Sequence, residues 1–359
     1  MLQLRSKIIG SGSYVPSTKI ANDFFWNSDF YTGYDQKTEK DSKSIVDKFQ
    51  EVAGIAERRY ADANIRASDM ATFAAQEALK NAGNLDPETL DYIIVSHNWG
   101  DVAKDNHFYD LLPNLAARVK HNLGIQNSNC VAYDLLFGCP GWLQGMIQAD
   151  YYLRSGDAKR ALVIGSDAVS RVIDSHDIDS MLFSDGAGAV VLEAQEVEHP
   201  TGIMLHKAVS DCNKELSFLK MDKSYNPSKG EEGLYLKMQG RNVFRYAMEK
   251  IPGLVIECLE RLNLPIERVS KILMHQANAK MIRLIAERLF SLQGHDQVPE
   301  GVLPMNVSYI GNNSVATVPI LYDMIAKGTM PEHSFKPGDI LVMASVGAGM
   351  HINCVIYEV

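Results

Sequence analysis

Residues 132–153, AYDLLFGCPGWLQGMIQADYYL, read as a strand, a tight turn and a helix in direct succession. The apolar run stops at Gly138, Cys139, Pro140 and Gly141, after which Leu143, Met146, Ile147 and Tyr151 recur at helical spacing and form one face. Gly138 and Gly141 permit backbone angles denied to other residues, and Pro140 suits the first turn of a helix, where its missing N–H has no partner to lose. Cys139 therefore falls at the mouth of a helix. There the free N–H groups and the helix dipole favour a thiolate and draw a free-cysteine pKa of about 8.5 downward. The ordinary alternative for such a residue is a small buried cysteine in a turn.

Working outward from that elbow, the apolar periodicity predicts strands at 4–9, 91–96, 130–136, 160–166 and 187–193, and helices at 68–82, 113–122 and 141–154. The order is βαβαβαββ. It repeats from residue 199: strands at 203–210, 269–274, 302–307, 340–345 and 351–358, with helices at 239–262, 278–290 and 314–326. Residues 1–198 and 199–359 thus read as two copies of one α/β unit. Helices alternating with apolar strands require mixed, mostly parallel sheets covered on both faces, and two such units stack as a duplicated five-layer αβαβα sandwich. The polar stretches 17–66, 97–112, 168–186 and 212–237 are expected to be loops and short helices roofing the site.

With 359 residues, 46% of them hydrophobic, the chain can bury a core of this size. A net charge of −9 disfavours nucleic acid and anionic membranes as generic partners. No run approaches the ~18 apolar residues of a membrane span, and the start, MLQLRSKIIGSGSYVP, lacks a signal-peptide pattern, so a cytoplasmic location is expected. Five scattered cysteines without a CxxC pair argue against a disulfide framework and against zinc. GSGS at 10–13 opens no helix of the kind a dinucleotide fingerprint needs. Asp174, His176, Asp177 and Asp179 lack the glycine of a calcium loop and zinc-ligand spacing, so they read as a solvated loop and no metal is expected. Asp185, in SDGAGA, reads as part of a tight turn.

Two junctions in the second half carry polar groups that packing does not require. His275 follows the strand at 269–274, where an apolar residue would be the default, and Asn312 precedes the helix at 314–326. Taken singly, the asparagine reads as a helix cap and the histidine as a satisfied structural residue. Under the duplication, however, Cys139 and Asn312 both begin the third helix of their halves, so a pseudo-twofold axis brings the turns together, with His275 on the neighbouring junction.

The motifs GCPGW (138–142), SDGAGA (184–189), MQGRNVF (238–244), HQAN (275–278) and GNNS (311–314), in this order, resemble the β-ketoacyl-ACP synthase III family nearly end to end. The resemblance implies a thiolase-like fold and a decarboxylative condensing activity. It makes Cys139 the acyl-accepting nucleophile, with His275 and Asn312 assisting decarboxylation of a malonyl thioester. It places an oxyanion hole at the backbone N–H groups of Cys139 and Ala348, the latter within Gly347, Ala348 and Gly349. Carrier or CoA contacts fall on Arg171, Arg241, Arg245 and Lys280, and the acyl pocket on Leu112, Phe244 and Val346, with the wall at Leu112 supplied by the partner in a homodimer. No cofactor is implied, because CoA or ACP phosphopantetheine thioesters are themselves the substrates. The implied partners are acyl carrier protein, an acyl-CoA or acyl-ACP primer and malonyl-ACP. Lys48 and Val52 stand where the family commonly has a tryptophan and an arginine near the CoA adenine, which points to a specialised primer. Neighbouring readings stay open: a secondary-metabolite ketosynthase, a head-to-head acyl-condensing enzyme, a thioester hydrolase using Cys139 and His275, and a catalytically silent subunit.

Overall fold

In the computed structural model, residues 3–104, 108–229 and 233–359 are described. The first half runs β1 (Gln3–Tyr14), β2 (Thr18–Ala21), α1 (Ser42–Ala53), β3 (Glu57–Tyr60), α2 (Ala67–Asn81), β4 (Tyr92–Ser96), β5 (Asp101–Val102), β6 (Tyr109–Asp110), α3 (Leu115–Asn122), β7 (Val131–Leu135), α4 (Gly141–Ser155), β8 (Arg160–Ala168) and β9 (Asp185–Val197). The second runs β10 (Gly202–Ser210), β11 (Leu219–Asp222), β12 (Tyr235–Met238), α5 (Gly240–Arg261), β13 (Val269–Met274), α6 (Ala279–Leu292), α7 (Val307–Ile310), α8 (Thr317–Ala326), β14 (Ile340–Gly347) and β15 (His351–Glu358).

One sheet has the order β1-β9-β8-β4-β7 and the other β10-β15-β14-β13, so the strands correspond in position. The parallel pairs, β4 with β7 and β8 in one sheet and β13 with β14 in the other, also correspond. Strand alternation assigns the layers. Ile93, Val95, Leu162 and Ile164 face outward to a core shared with α2 and α3, whereas Ile94 and Val163 face inward. In the second sheet Ile272, Met274, Val342 and Ala344 face α5 and α6, and Leu273, Leu341 and Met343 turn inward. Between the sheets lie α4 and α8, buried through Trp142, Leu143, Met146, Val318 and Leu321. This is the five-layer α/β sandwich expected. Each fully buried Leu, Ile or Met contributes about 1.5–3 kcal/mol relative to exposure, and such residues are the largest group in the inner layer.

Several local readings are corrected. Residues 302–306 occupy the edge equivalent to β7 but form no strand: Ile272 N donates to Val302 O at 2.8 Å, and then Pro304 lacks the next donor. Asn306 N is instead drawn to Gln276 Oε1 at 3.0 Å. Residues 17–66 hold the twelve-residue helix α1 and the β2–β3 ladder rather than loops alone, and 212–237 contains β11, which pairs with β12. Residues 105–107 and 230–232 of the expected loops lie outside the described residues.

The glycines of GSGS serve packing. A Cβ on Gly12 would come within 2.3 Å of Ala74 O, so α2 lies directly on β1. Asp185 starts β9 rather than a turn, and accepts from Ala61 N at 2.8 Å and from Ser170 N and Oγ at 2.7 and 2.6 Å. The tract at 174–179 is not solvated either: Asp174 and Asp177 are buried, and Lys237 Nζ reaches them at 2.5 and 3.1 Å. A lysine ammonium thus holds the charge balance there, and burial pushes the neighbouring Asp179 up to about 7. Among the described residues no cluster suits a metal, and no helix is long and apolar enough to cross a membrane.

Candidate active site

Cys139 lies between the end of β7 and the start of α4, with Pro140 as the residue capping the helix. Gly138 takes φ +66°, a left-handed conformation that glycine adopts without strain. The second half reaches over this turn. A Cβ on Gly138 would sit 2.7 Å from Ala348 N, and one on Gly347 would sit 2.4 Å from Cys139 N. The backbones of Cys139 and of Gly347–Ala348 therefore touch, which brings the two expected oxyanion donors to one place.

The thiol opens on an apolar cavity of about 200 Å³ walled by Trp99, Phe183, Leu219, Met221 and Leu236, with Asn98, Ser314 and Ala348 at its polar end. Trp99 is held by Nε1 donating to Met221 Sδ at 3.3 Å. None of Leu112, Phe244 and Val346 lines this cavity. Phe244 and Val346 belong to the core beneath α5 and α6, and Leu112 is 85% exposed. Hydrophobic residues of the 97–112 and 212–237 segments carry no periodic signature that would have marked them as cavity walls.

Cys139 Sγ meets Ser314 Oγ at 3.5 Å. From Ser314 a buried polar row leads to the other expected residues. Ser314 N donates to Asn312 Oδ1 at 2.9 Å, Thr317 Oγ1 lies 3.2 Å from Ser314 O, and Thr317 Oγ1 lies 2.7 Å from His275 Nδ1. His275 and Asn312 make no direct hydrogen bond to Cys139 among the described residues; Ser314 and Thr317 join them. Asn312 is itself clamped by main chain, its N donating to Leu182 O at 3.0 Å and its O accepting from Ser184 N at 2.9 Å. Within the described residues neither Asn312 Nδ2 nor His275 Nε2 has a hydrogen-bond partner, so one polar atom on each side chain is left for a ligand.

Burial sets the charge states. It pushes the Cys139 thiol up to about 11, with Asp167 adding to the rise while Ser314 and the Cys139 N–H oppose it. The lowering expected from the helix terminus is thus overridden by desolvation beside the apolar cavity, although the residue as a whole is half-buried. His275 is driven down to about 4 by burial and is a neutral imidazole at physiological pH. Asp167 is pushed up to about 6 by burial, against hydrogen bonds from Asn98 and Ser314.

Of the expected carrier residues, Arg241 and Arg245 are exposed near the start of α5, and Lys280 is exposed at the start of α6, just beyond His275. Arg171 is different. It is buried, and its Nη2 donates to Ala61 O and Asp62 O at 3.0 and 2.8 Å. Backbone carbonyls hold that nitrogen, whereas Nε is buried without a partner among the described residues; the side chain lines a separate cavity and ties the segment after β3 to the fold.

A duplicated αβαβα sandwich with a cysteine at the head of its inner helix defines a thiolase-fold condensing enzyme. A family model for 3-oxoacyl-[acyl-carrier-protein] synthase III matches residues 133–211, and that for its C-terminal part matches 259–359. The chain is similar to β-ketoacyl-[acyl-carrier-protein] synthase III of Prochlorococcus marinus, at 33% identity over 99% of this chain and 96% of the relative. It is also similar to that of Paracoccus denitrificans, at 32% over 98% of each. Among solved structures, 3-oxoacyl-[acyl-carrier-protein] synthase III from Aquifex aeolicus aligns with a TM-score of 0.78 and 30% identity, covering 99% of this chain and 100% of the other. The priming β-ketosynthase of the R1128 polyketide pathway aligns at 0.80 and 27%, covering 100% and 98%. The chain belongs to the β-ketoacyl-ACP synthase III family, and it is an acyltransferase of the condensing type.

Proposed function

We propose that this enzyme transfers an acyl group to Cys139 and then condenses it with malonyl-ACP, with loss of carbon dioxide, in fatty acid or related biosynthesis. The observation that carries the reading is the cysteine bordering both an apolar cavity and the polar row of Ser314, Asn312, Thr317 and His275. In the first step Sγ attacks the primer thioester, the bond from acyl carbon to carrier sulfur breaks, and the thiol proton leaves with that sulfur. The tetrahedral oxyanion is held by the N–H groups of Cys139 and Ala348.

In the second step the bond to the malonyl carboxylate breaks and carbon dioxide departs, leaving an enolate on the thioester. Asn312 Nδ2 and His275 Nε2–H stabilise that oxygen as neutral donors. Two features support these roles: Asn312 Oδ1 is occupied by Ser314 N, which leaves the amide nitrogen outward, and burial keeps His275 uncharged. In this role the imidazole carries its proton on Nε2, and Nδ1 accepts from the Thr317 hydroxyl at 2.7 Å in place of that hydroxyl's 3.2 Å bond to Ser314 O. The carbanion then attacks the acyl-Cys139 carbonyl, and the sulfur leaves.

Arg241, Arg245 and Lys280 offer a basic face to an acidic carrier protein. The edge strand β7, with Val131 and Leu136 exposed, and the exposed Leu112 support a homodimer. The test is to incubate the enzyme with acyl-ACP or acyl-CoA and malonyl-ACP and to follow products and intact mass. A β-ketoacyl-ACP product with an acyl adduct on Cys139 is expected. Free acid in excess of condensed product would mark a hydrolase, and no product from malonyl-ACP would mark head-to-head condensation.

A further inference from the structure

Ser314 stands in an unusual backbone state. Its φ is +54°, a left-handed conformation in which a non-glycine residue is strained. Its Oγ nevertheless lies among three functional groups. Cys139 Sγ is at 3.5 Å, and Asn98 Nδ2 donates to Oγ at 3.0 Å. Asn98 is fixed in turn: its N donates to Asp167 Oδ1 at 2.9 Å and its Nδ2 to Asp167 Oδ2 at 2.8 Å. Asp167 is 1% exposed and Ser314 likewise, so that end of the network is shielded from water.

Asn98 fills one lone pair of Ser314 Oγ, and a hydroxyl has a single hydrogen to give. That hydrogen has two acceptors in reach: the Asp167 carboxylate, each of whose oxygens already takes an Asn98 N–H, and the Cys139 sulfur, whose one side-chain partner among the described residues is Ser314. The other titratable group facing this network is His97, whose Nε2 is paired with Asp134 Oδ2 at 2.8 Å.

We propose that Ser314 is a further catalytic residue, whose hydroxyl donates to the Cys139 sulfur and stabilises its thiolate, and that Asn98 and Asp167 are positioning residues that aim it. The device answers a need visible in the site: the sulfur faces an apolar cavity, and a thiolate there requires a donor close by. Ser314 is also the residue through which Asn312 is oriented, so one strained position serves both the sulfur and the carboxamide.

This inference rests on Cys139 being the acyl acceptor, and the test keeps the two apart. Cys139 is alkylated with iodoacetamide across pH in the parent enzyme, in Ser314→Gly and in Asn98→Ala, with the site mapped by peptide mass. Glycine suits the positive φ, so Ser314→Gly is expected to melt no lower than the parent. Its Cys139 titration should move to higher pH, with the alkylation rate at neutral pH falling about 10- to 100-fold, the range for a hydrogen bond to a charged group. Asn98→Ala should move the titration in the same direction by less. An unchanged titration and rate in Ser314→Gly, in an enzyme whose Cys139 still takes up the acyl group, overturns the inference alone. A parent enzyme that takes no acyl group on Cys139 overturns the proposed function instead.

Discussion

The two halves hold each other's turns, and they do it by different means. The Cys139 turn is gripped by Gly347 and Ala348, the tight connection just before β15. The Asn312 turn is gripped by residues 182–184, just before β9. These are the corresponding positions of the two copies, yet in the second half β14 and β15 are joined by a turn at 348–350, and in the first half β8 and β9 are separated by residues 169–184. The short version brings backbone N–H groups against the cysteine. The long version supplies a cavity wall, Phe183, and two main-chain hydrogen bonds that fix the asparagine. Duplication thus provided two equivalent sockets, and unequal connections fit one of them for the nucleophile and oxyanion site, and the other for the enolate donor, of the proposed reaction.

The division of labour is broken most completely at the sulfur. Cys139→Ala is expected to abolish the acyl adduct in intact-mass measurements, and an adduct equal to the parent's would remove the first half from the chemistry. Asn312→Ala should still load Cys139 but yield condensed product about 100- to 1,000-fold more slowly, the scale of losing one oxyanion donor. Loss of loading in that variant would mean that the two turns do not act separately.

A smaller effect tests the grip between the halves. In Gly347→Ala the new Cβ meets Cys139 N, so the connection must shift; thermal unfolding should show destabilisation of about 1–3 kcal/mol, with slower loading. The remaining effects are those of pH, and they fall at opposite ends for the two halves. His275 has its pKa lowered from 6.5 to about 4, so the unfolded chain binds its proton first and stability declines as pH falls from 6.5 towards 4. Cys139 has its pKa raised from 9.0 to about 11, so the folded chain keeps its proton longer and stability declines as pH rises from 9 towards 11. Melting curves against pH for His275→Gln should be flatter on the acid side, and for Cys139→Ala flatter on the alkaline side.

Much of the architecture was legible because periodicity is a local property. The strands at 91–96 and 269–274 and the helix at 141–154 are continuous apolar patterns, and their repeated order was enough to imply two stacked sheets. The edge at 302–307 misled because an apolar run does not reveal that Pro304 interrupts its ladder and that Gln276 competes for Asn306 N. At the site, Cys139, His275 and Asn312 stood out as polar or reactive residues at element junctions. Ser314 and Asn98 did not, since a serine after an asparagine at a helix start reads as an ordinary cap. Their importance lies in contacts spanning more than two hundred positions along the chain.

What the sequence by itself determined is the alternation of strand and helix, its duplication, and the residue types carried on the turns, because these follow from side-chain spacing and backbone preference alone. Only the tertiary structure decided the protonation states and the cavity wall. The same burial that shapes the cavity raises the cysteine and lowers the histidine, and burial depends on residues far apart in the chain coming to surround one sulfur.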